Sequence, residues 1–383
     1  MNDPRILVFS ATFGDGHVRA ADALIESIYE VHPNAQIAHI DAMAMLNKQF
    51  NIVLKDFYLG MIKRTPKLWG DFYYGTAGIA PDSRFQRLLN NLGQSKYVKC
   101  INTFQPDLII CTYPTIAGVM GKLRSKKALS VPVVTVITDY TVHSQWIHAG
   151  VDLYIVGCED VYNGLVSRGI DPERIKVTGI PVSPKFENTL DRLDLMTDLG
   201  LNPGLPTLLV MGGAYGVLDD IKGVCKVLAD TSVPCQTLVV CGRDEKLYAL
   251  LDEVMLHAKN PMLKYGFVSN VDELMTVADL VITKAGGLTV SEALTKGVPM
   301  LIYKPIPGQE EKNAAFLEKS GAARAVSNRA ELEETLFELL RNPEALTKMK
   351  QAAAMTLPGQ AAQQAVRHIL QLIEENYPEA KVG

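Results

Sequence analysis

The sequence predicts an α/β protein built from two doubly wound domains. Three observations carry this. Short apolar runs alternate with helical patterns from end to end. Most of these runs are apolar on successive residues, which suits parallel strands covered by helices on both faces. The rhythm restarts near residue 205, after a stretch at Gly179-Ile-Pro-Val-Ser-Pro184 that has two close prolines and little helix or strand character. A length of 383 residues fits two domains of ordinary size.

In chain order, the first domain, residues 1–180, has strands at Ile6–Phe9, Ile37–Ile40, Leu108–Cys111, Val133–Ile137, Leu153–Val156 and Ile175–Thr178. The second, residues 181–360, has them at Thr207–Met211, Thr237–Cys241, Leu280–Thr283 and Met300–Tyr303. Strand–helix alternation implies right-handed crossovers, and ligands in such sheets bind beyond the strands' carboxyl ends. Two such domains are expected to face a cleft. A final helix, residues 361–376, lies beyond the second pattern and is expected to return across the hinge.

Composition narrows the function. The chain is 48% hydrophobic and 21% charged, as a globular protein is. A net charge of −4 argues against a nucleic-acid binder. The cysteines at 100, 111, 158, 225, 235 and 241 form no Cys-x-x-Cys pair, and those at 111 and 241 read as core thiols. His143 and His148, accompanied by Asp139 and Asp152, fit no zinc spacing, so no metal is expected. Met1-Asn-Asp-Pro-Arg leads straight into a strand without a signal peptide, and no apolar run approaches the roughly 18 residues of a membrane span. The expected compartment is the cytoplasm, with membrane-surface contact left open.

Residues 42–100 interrupt the rhythm. This insertion carries nine basic residues (Lys48, Lys55, Lys63, Arg64, Lys67, Arg84, Arg87, Lys96, Lys99) against Asp56, Asp71 and Asp82. Phe57, Tyr58, Trp69, Phe72, Tyr73 and Tyr74 lie among them. Cations mixed with aromatics suit an anionic lipid surface, with Lys63, Arg64, Lys67, Trp69, Phe72 and Tyr73 as the contacts. The alternative is a solvated helical hairpin whose aromatics pack inward.

Four strand ends carry candidate chemistry. After Phe9, the turn Gly14-Asp-Gly-His17 opens a helix, with Arg19 where a dinucleotide fingerprint would place its third glycine. The positive helix end disfavours imidazolium, so His17 is a candidate general base, or otherwise a capping histidine. After Ile137, Asp139 is placed to orient a hydroxyl, to assist His17, or to cap the next turn. After Met211, Gly212 and Gly213 let amides approach phosphate. After Thr283, Gly286 and Gly287 open a helix whose free N–H groups suit a diphosphate. Glu292, one turn in, suits a ribose diol, although Thr289-Val-Ser-Glu292 also fits a capping box. Phe267 and Val268 line a base pocket or pack structurally. Neither a Gly-x-Ser-x-Gly turn nor a P-loop is present, which disfavours hydrolase and ATPase readings.

Gly14-Asp-Gly-His17 with Arg19–Leu24, Thr138-Asp-Tyr…His143…Trp146, Gly286-Gly-Leu-Thr-Val-Ser-Glu292 and Pro307-Gly-Gln-Glu-Glu-Lys-Asn313 occur in this order. Together they resemble the monogalactosyldiacylglycerol synthase and processive diacylglycerol glucosyltransferase family, relatives of the peptidoglycan lipid-precursor N-acetylglucosaminyltransferase. The resemblance runs from residue 5 to about 370, with Ala149 where many relatives carry proline. It implies a B-type glycosyltransferase fold, with a lipid acceptor and anionic membrane at the first domain and a UDP-sugar at the second. It further implies that Glu292 holds the ribose, that Gly16, Gly212, Gly213, Gly286, Gly287, Leu288 and Thr289 lie on the donor side, and that Gln309 and Glu310 meet the sugar. His17 would deprotonate the acceptor with inversion. No cofactor or metal is implied beyond UDP-glucose or UDP-galactose as substrate, and the implied location is the cytoplasmic membrane's periphery. A polyprenyl-linked or other lipid acceptor, a UDP-sugar epimerase and a non-catalytic UDP-sugar sensor are the alternatives.

Overall fold

The computed structural model describes residues 3–12, 15–45, 65–79, 83, 91, 93–212 and 220–376. The chain forms two compact units. One comprises Met1–Pro184, Pro307–Gln309 and Pro358–Gly383; the other comprises Lys185–Ile306 and Glu310–Leu357.

The first unit runs β1 (Arg5–Ser10), α1 (Asp15–Val31), β2 (Gln36–Asp41), α2 (Pro66–Ala77), α3 (Gln94–Phe104), β3 (Leu108–Cys111), α4 (Pro114–Ser125), β4 (Val133–Val136), β5 (Leu153–Val156), α5 (Glu159–Val166) and β6 (Ile175–Val177). Its strands pair in parallel in the order β2-β1-β3-β4-β5-β6. The direction of winding therefore reverses between β1 and β3, and this is where a doubly wound sheet opens a crevice at its strand ends. β3, β4 and β5 are buried along their whole length, in keeping with their unbroken apolar sequence.

The second unit runs α6 (Arg192–Asp198), β7 (Thr207–Met211), α7 (Ile221–Asp230), β8 (Gln236–Val240), α8 (Glu245–Leu256), β9 (Met262–Tyr265), α9 (Val271–Val277), β10 (Leu280–Thr283), α10 (Gly287–Thr295), β11 (Met300–Tyr303), α11 (Gln309–Ser320), β12 (Ala323–Val326), α12 (Arg329–Arg341) and α13 (Pro343–Thr356). Its parallel order is β12-β11-β10-β7-β8-β9, with the reversal between β7 and β10. β9 and β12 close the two edges. Neither is fully apolar, and β12 reads Ala-Arg-Ala-Val with a half-buried middle. Edge strands bury less, so their sequences carry a weaker signal.

The last helix, α14 (Ala361–Asn376), belongs to the first unit. Its buried residues Ala362, Ala365, Val366 and Ile369 repeat at helical spacing. Ala365, Val366 and Ile369 share a core with Ile6, Val8, Leu24 and Ile28. Gly179, at φ +90°, admits the chain beside it: a Cβ there would sit 3.0 Å from that of Ala361. Ile369→Ala should therefore cost about 2–5 kcal/mol, read as a lower urea midpoint for the first unit.

Candidate active site

The first unit's reversal point holds His17. β1 ends at Ser10, the chain turns, and His17 falls in the first turn of α1. β3 ends one residue before Thr112. The two strands lie side by side, so the His17 ring meets the Thr112 backbone: Nδ1 is 2.7 Å from the Thr112 carbonyl oxygen and 2.9 Å from Thr138 Oγ1. A carbonyl only accepts, so at 2.7 Å the proton lies on Nδ1. Nε2 then carries the free lone pair. The Thr112 hydroxyl donates in turn to the His17 carbonyl at 2.8 Å. Burial pushes the His17 pKa down to about 4, opposed by the Thr112 hydrogen bond. The ring is neutral at pH 7, with burial the cause.

A cavity of about 120 Å³ is lined by His17, Trp69, Phe72, Tyr73, Thr76, Tyr113, Pro114, Asp139, His143, Gln145, Trp146 and Gln309. Sites for whole drug-sized ligands run to 300 Å³ and more, so this one admits only a small group. Burial lifts the Asp139 pKa to about 6, against hydrogen bonds from Gln309 and Trp146. The Gln309 amide donates to Asp139 Oδ1. Asp139 does not cap the following 3₁₀ turn (Ser144–Trp146), because His143 does: its Nδ1 accepts from Gln145 N at 3.2 Å. His143 Nε2 then faces Thr76 Oγ1 at 3.2 Å and the Tyr73 carbonyl at 3.3 Å. His148 donates from Nε2 to the Gln145 carbonyl at 2.8 Å. These two histidines hold loops in place, and no group of three or more metal-ligating side chains occurs among the described residues.

α2 supplies the cavity's aromatic wall. Trp69 and Tyr73 are half-buried, whereas Lys67, Leu68, Phe72 and Tyr74 are exposed. The aromatic set expected at a membrane thus splits between a cavity wall and an outer face. Two glycines seat this helix. A Cβ on Gly70 would lie 2.6 Å from Pro307 Cβ, and one on Gly308 (φ +100°) would lie 2.8 Å from the Tyr73 ring. Lys63 and Arg64 lie outside the described residues.

The second unit brings its own groups to its own reversal point, after β7 and β10. Gly286 caps α10 with φ −72°, without a side-chain hydrogen bond, and a Cβ built on it meets nothing within 4 Å. Neither strain nor crowding requires glycine here, and the space beside its Cα is open. The capping-box alternative fails: Gly286 is the N-cap, and Thr289 and Glu292 lie inside the helix. Glu292 is 3% exposed in the second turn, and Leu288 is also buried. Asn313, fully buried on α11, donates to the Ala285 carbonyl at 2.9 Å and so fixes the turn before α10. Lys284 pairs with Glu310 at 3.1 Å, and the other Glu310 oxygen accepts from Ile306 N at 3.2 Å. Gly212 is buried just after β7, and Gly213 lies outside the described residues. Phe267 is 53% exposed beneath the Arg243 guanidinium, so it does not serve core packing; Val268 beside it is half-buried.

Of the expected donor residues, Gly16 and Gln309 fall in the first unit, Gly16 in the first turn of α1 and Gln309 on Asp139. Sequence reasoning passed over Thr112 and Tyr113. The rule that singled out Asp139, a polar residue just past a strand's carboxyl end, also picks out Thr112.

Residues 17–182 match the family model described as Monogalactosyldiacylglycerol (MGDG) synthase, and residues 207–371 match the Glycosyltransferase family 28 C-terminal domain. A protein of Bacillus pumilus named Processive diacylglycerol beta-glucosyltransferase is 34% identical over 352 residues, covering 91% of this chain and 89% of that one. The chain belongs to this family of glycosyltransferases. A Bacillus subtilis protein of the same name is 33% identical over 351 residues, covering 90% and 89% of the two chains. Among solved structures, Acinetobacter baumannii MurG superposes with a TM-score of 0.64 at 18% identity, covering 96% of this chain and 99% of its own. The glycosyltransferase shares that two-domain, B-type architecture. In this glycosyltransferase Gly286→Ala should leave stability within about 0.5 kcal/mol, read as an unchanged urea midpoint, as an uncrowded substitution does.

Proposed function

We propose that this glycosyltransferase moves glucose from UDP-glucose to the free hydroxyl of diacylglycerol, with inversion at the anomeric carbon. The observation that carries the reading is His17: half-buried, neutral, with Nδ1 committed to Thr112 and Nε2 bare beside a head-group-sized cavity. In the proposed reaction Nε2 takes the acceptor hydroxyl's proton as that oxygen bonds to C1. The bond from C1 to the diphosphate oxygen breaks, and its electron pair leaves with UDP. Inversion follows from a single displacement. The amides at the start of α10 stabilise the leaving diphosphate, with the Lys284 ammonium near the same turn. Glu292 receives the ribose hydroxyls, and Glu310 those of the sugar. None of these steps draws on a metal or cofactor.

The names of the relatives support glucose and diacylglycerol. The outer face of α2, with Lys67, Leu68 and Tyr74 exposed, supports peripheral docking on an anionic membrane, since apolar and basic side chains together suit that boundary. No described helix is long and apolar enough to cross a membrane.

Incubation with UDP-glucose and vesicles containing diacylglycerol and anionic lipid should yield β-glucosyl diacylglycerol, seen by mass spectrometry and by the proton NMR coupling of the new anomeric centre. His17→Ala should lower kcat by about 10²–10⁴-fold, the usual share of a general base, while leaving UDP affinity unchanged. Galactolipid as the preferred product would move the donor assignment, and an α-linked product would remove the single-displacement mechanism.

A further inference from the structure

His17 needs a partner that fixes its ring and supports the imidazolium formed when it takes a proton. A carboxylate on the far ring nitrogen is one well-known solution. Asp139 lies next to the site, but its hydrogen bonds go to Gln309 and Trp146. Nδ1 instead meets two uncharged oxygens, the Thr112 carbonyl at 2.7 Å and Thr138 Oγ1 at 2.9 Å. Because the carbonyl requires the proton on Nδ1, the Thr138 hydroxyl cannot donate to that nitrogen. Its oxygen is a second acceptor for the same N–H, in a three-centre bond.

We propose that Thr138 is a positioning residue of the transfer reaction: with the Thr112 carbonyl it clamps Nδ1–H of His17, in the place that a carboxylate fills in charged dyads. The inference rests on His17 being the base. The neutral clamp has a chemical consequence. An imidazolium facing two dipoles gains less than one facing an anion, so His17 stays uncharged until it acts and returns its proton readily. Thr138 is 4% exposed two residues past β4, on the continuation of a wholly buried strand. Among the described residues, the other titratable or charged groups around the ring are Tyr113, Tyr73, His143 and Asp139 on the cavity wall, and Asp15 and Arg19 on its own helix. None of them is bonded to Nδ1.

The test uses Thr138→Val, Thr138→Ser and Thr138→Asp in the full chain, with histidine-labelled protein for NMR titration of the His17 ring and with pH–rate profiles. Thr138→Val, nearly isosteric, should lower kcat about three- to tenfold, the worth of one hydrogen bond, with the KM for UDP-glucose unchanged and the His17 pKa lower still. Thr138→Ser should restore kcat. Thr138→Asp should raise the His17 pKa by at least about one unit and carry the acid limb of the rate profile upward with it. An unchanged His17 pKa in both the valine and the aspartate variants overturns the proposal, as does a valine variant whose loss appears only in KM. If the ring responds as expected but the wild-type chain makes no glycolipid, the clamp stands and the assignment of His17 as base falls.

Discussion

The hydrogen bond from His17 Nδ1 to the Thr112 carbonyl is the constraint from which the chemistry follows. It settles the tautomer, and the tautomer settles which atom can accept a proton. It exists because β1 and β3 are neighbours although the chain visits β2 between them, so that residues 95 positions apart meet at one crevice. Burial then keeps the ring uncharged. A histidine at the same helix start with its ring in water would titrate near 6.5 and would be partly protonated at working pH.

Both units use the same geometric device for different chemistry. In each sheet the winding reverses once, and the loops on either side of the reversal carry the polar residues. The first unit places a neutral histidine, a buried carboxylate and an aromatic wall there. The second places a helix start without a side-chain cap, a buried glutamate and a lysine–glutamate pair. The contrast in glycine use is informative. Gly308 and Gly70 are required by backbone angle or crowding, and so belong to the packing of α2. Gly286 is required by neither, which is the pattern expected where a ligand rather than the protein fills the space.

Much of this was legible in the sequence. Leu108–Cys111, Leu153–Val156, Thr207–Met211, Leu280–Thr283 and Met300–Tyr303 stand where unbroken apolar runs placed them, because central parallel strands bury both faces. The short β12 escaped, since an edge strand with an arginine in it lacks that signal. His17, Asp139 and Glu292 were visible as polar residues just beyond strand ends. Their partners were not. Hydrogen bonds from His17 to Thr112, or from Asn313 to Ala285, join residues distant in sequence, and no local pattern announces them. The membrane reading of residues 42–100 treated Trp69, Phe72 and Tyr73 alike, whereas helical periodicity turns Trp69 and Tyr73 toward the cavity and Lys67, Leu68 and Tyr74 outward.

The most direct measurement is the protonation state of His17 in the wild-type chain, followed through its ring nitrogens in histidine-labelled protein across a pH series. The account predicts a proton on Nδ1, a bare Nε2 and no second proton until the pH approaches about 4. A ring protonated on Nε2 at neutral pH, or one that gains its second proton near or above 6.5, would contradict it.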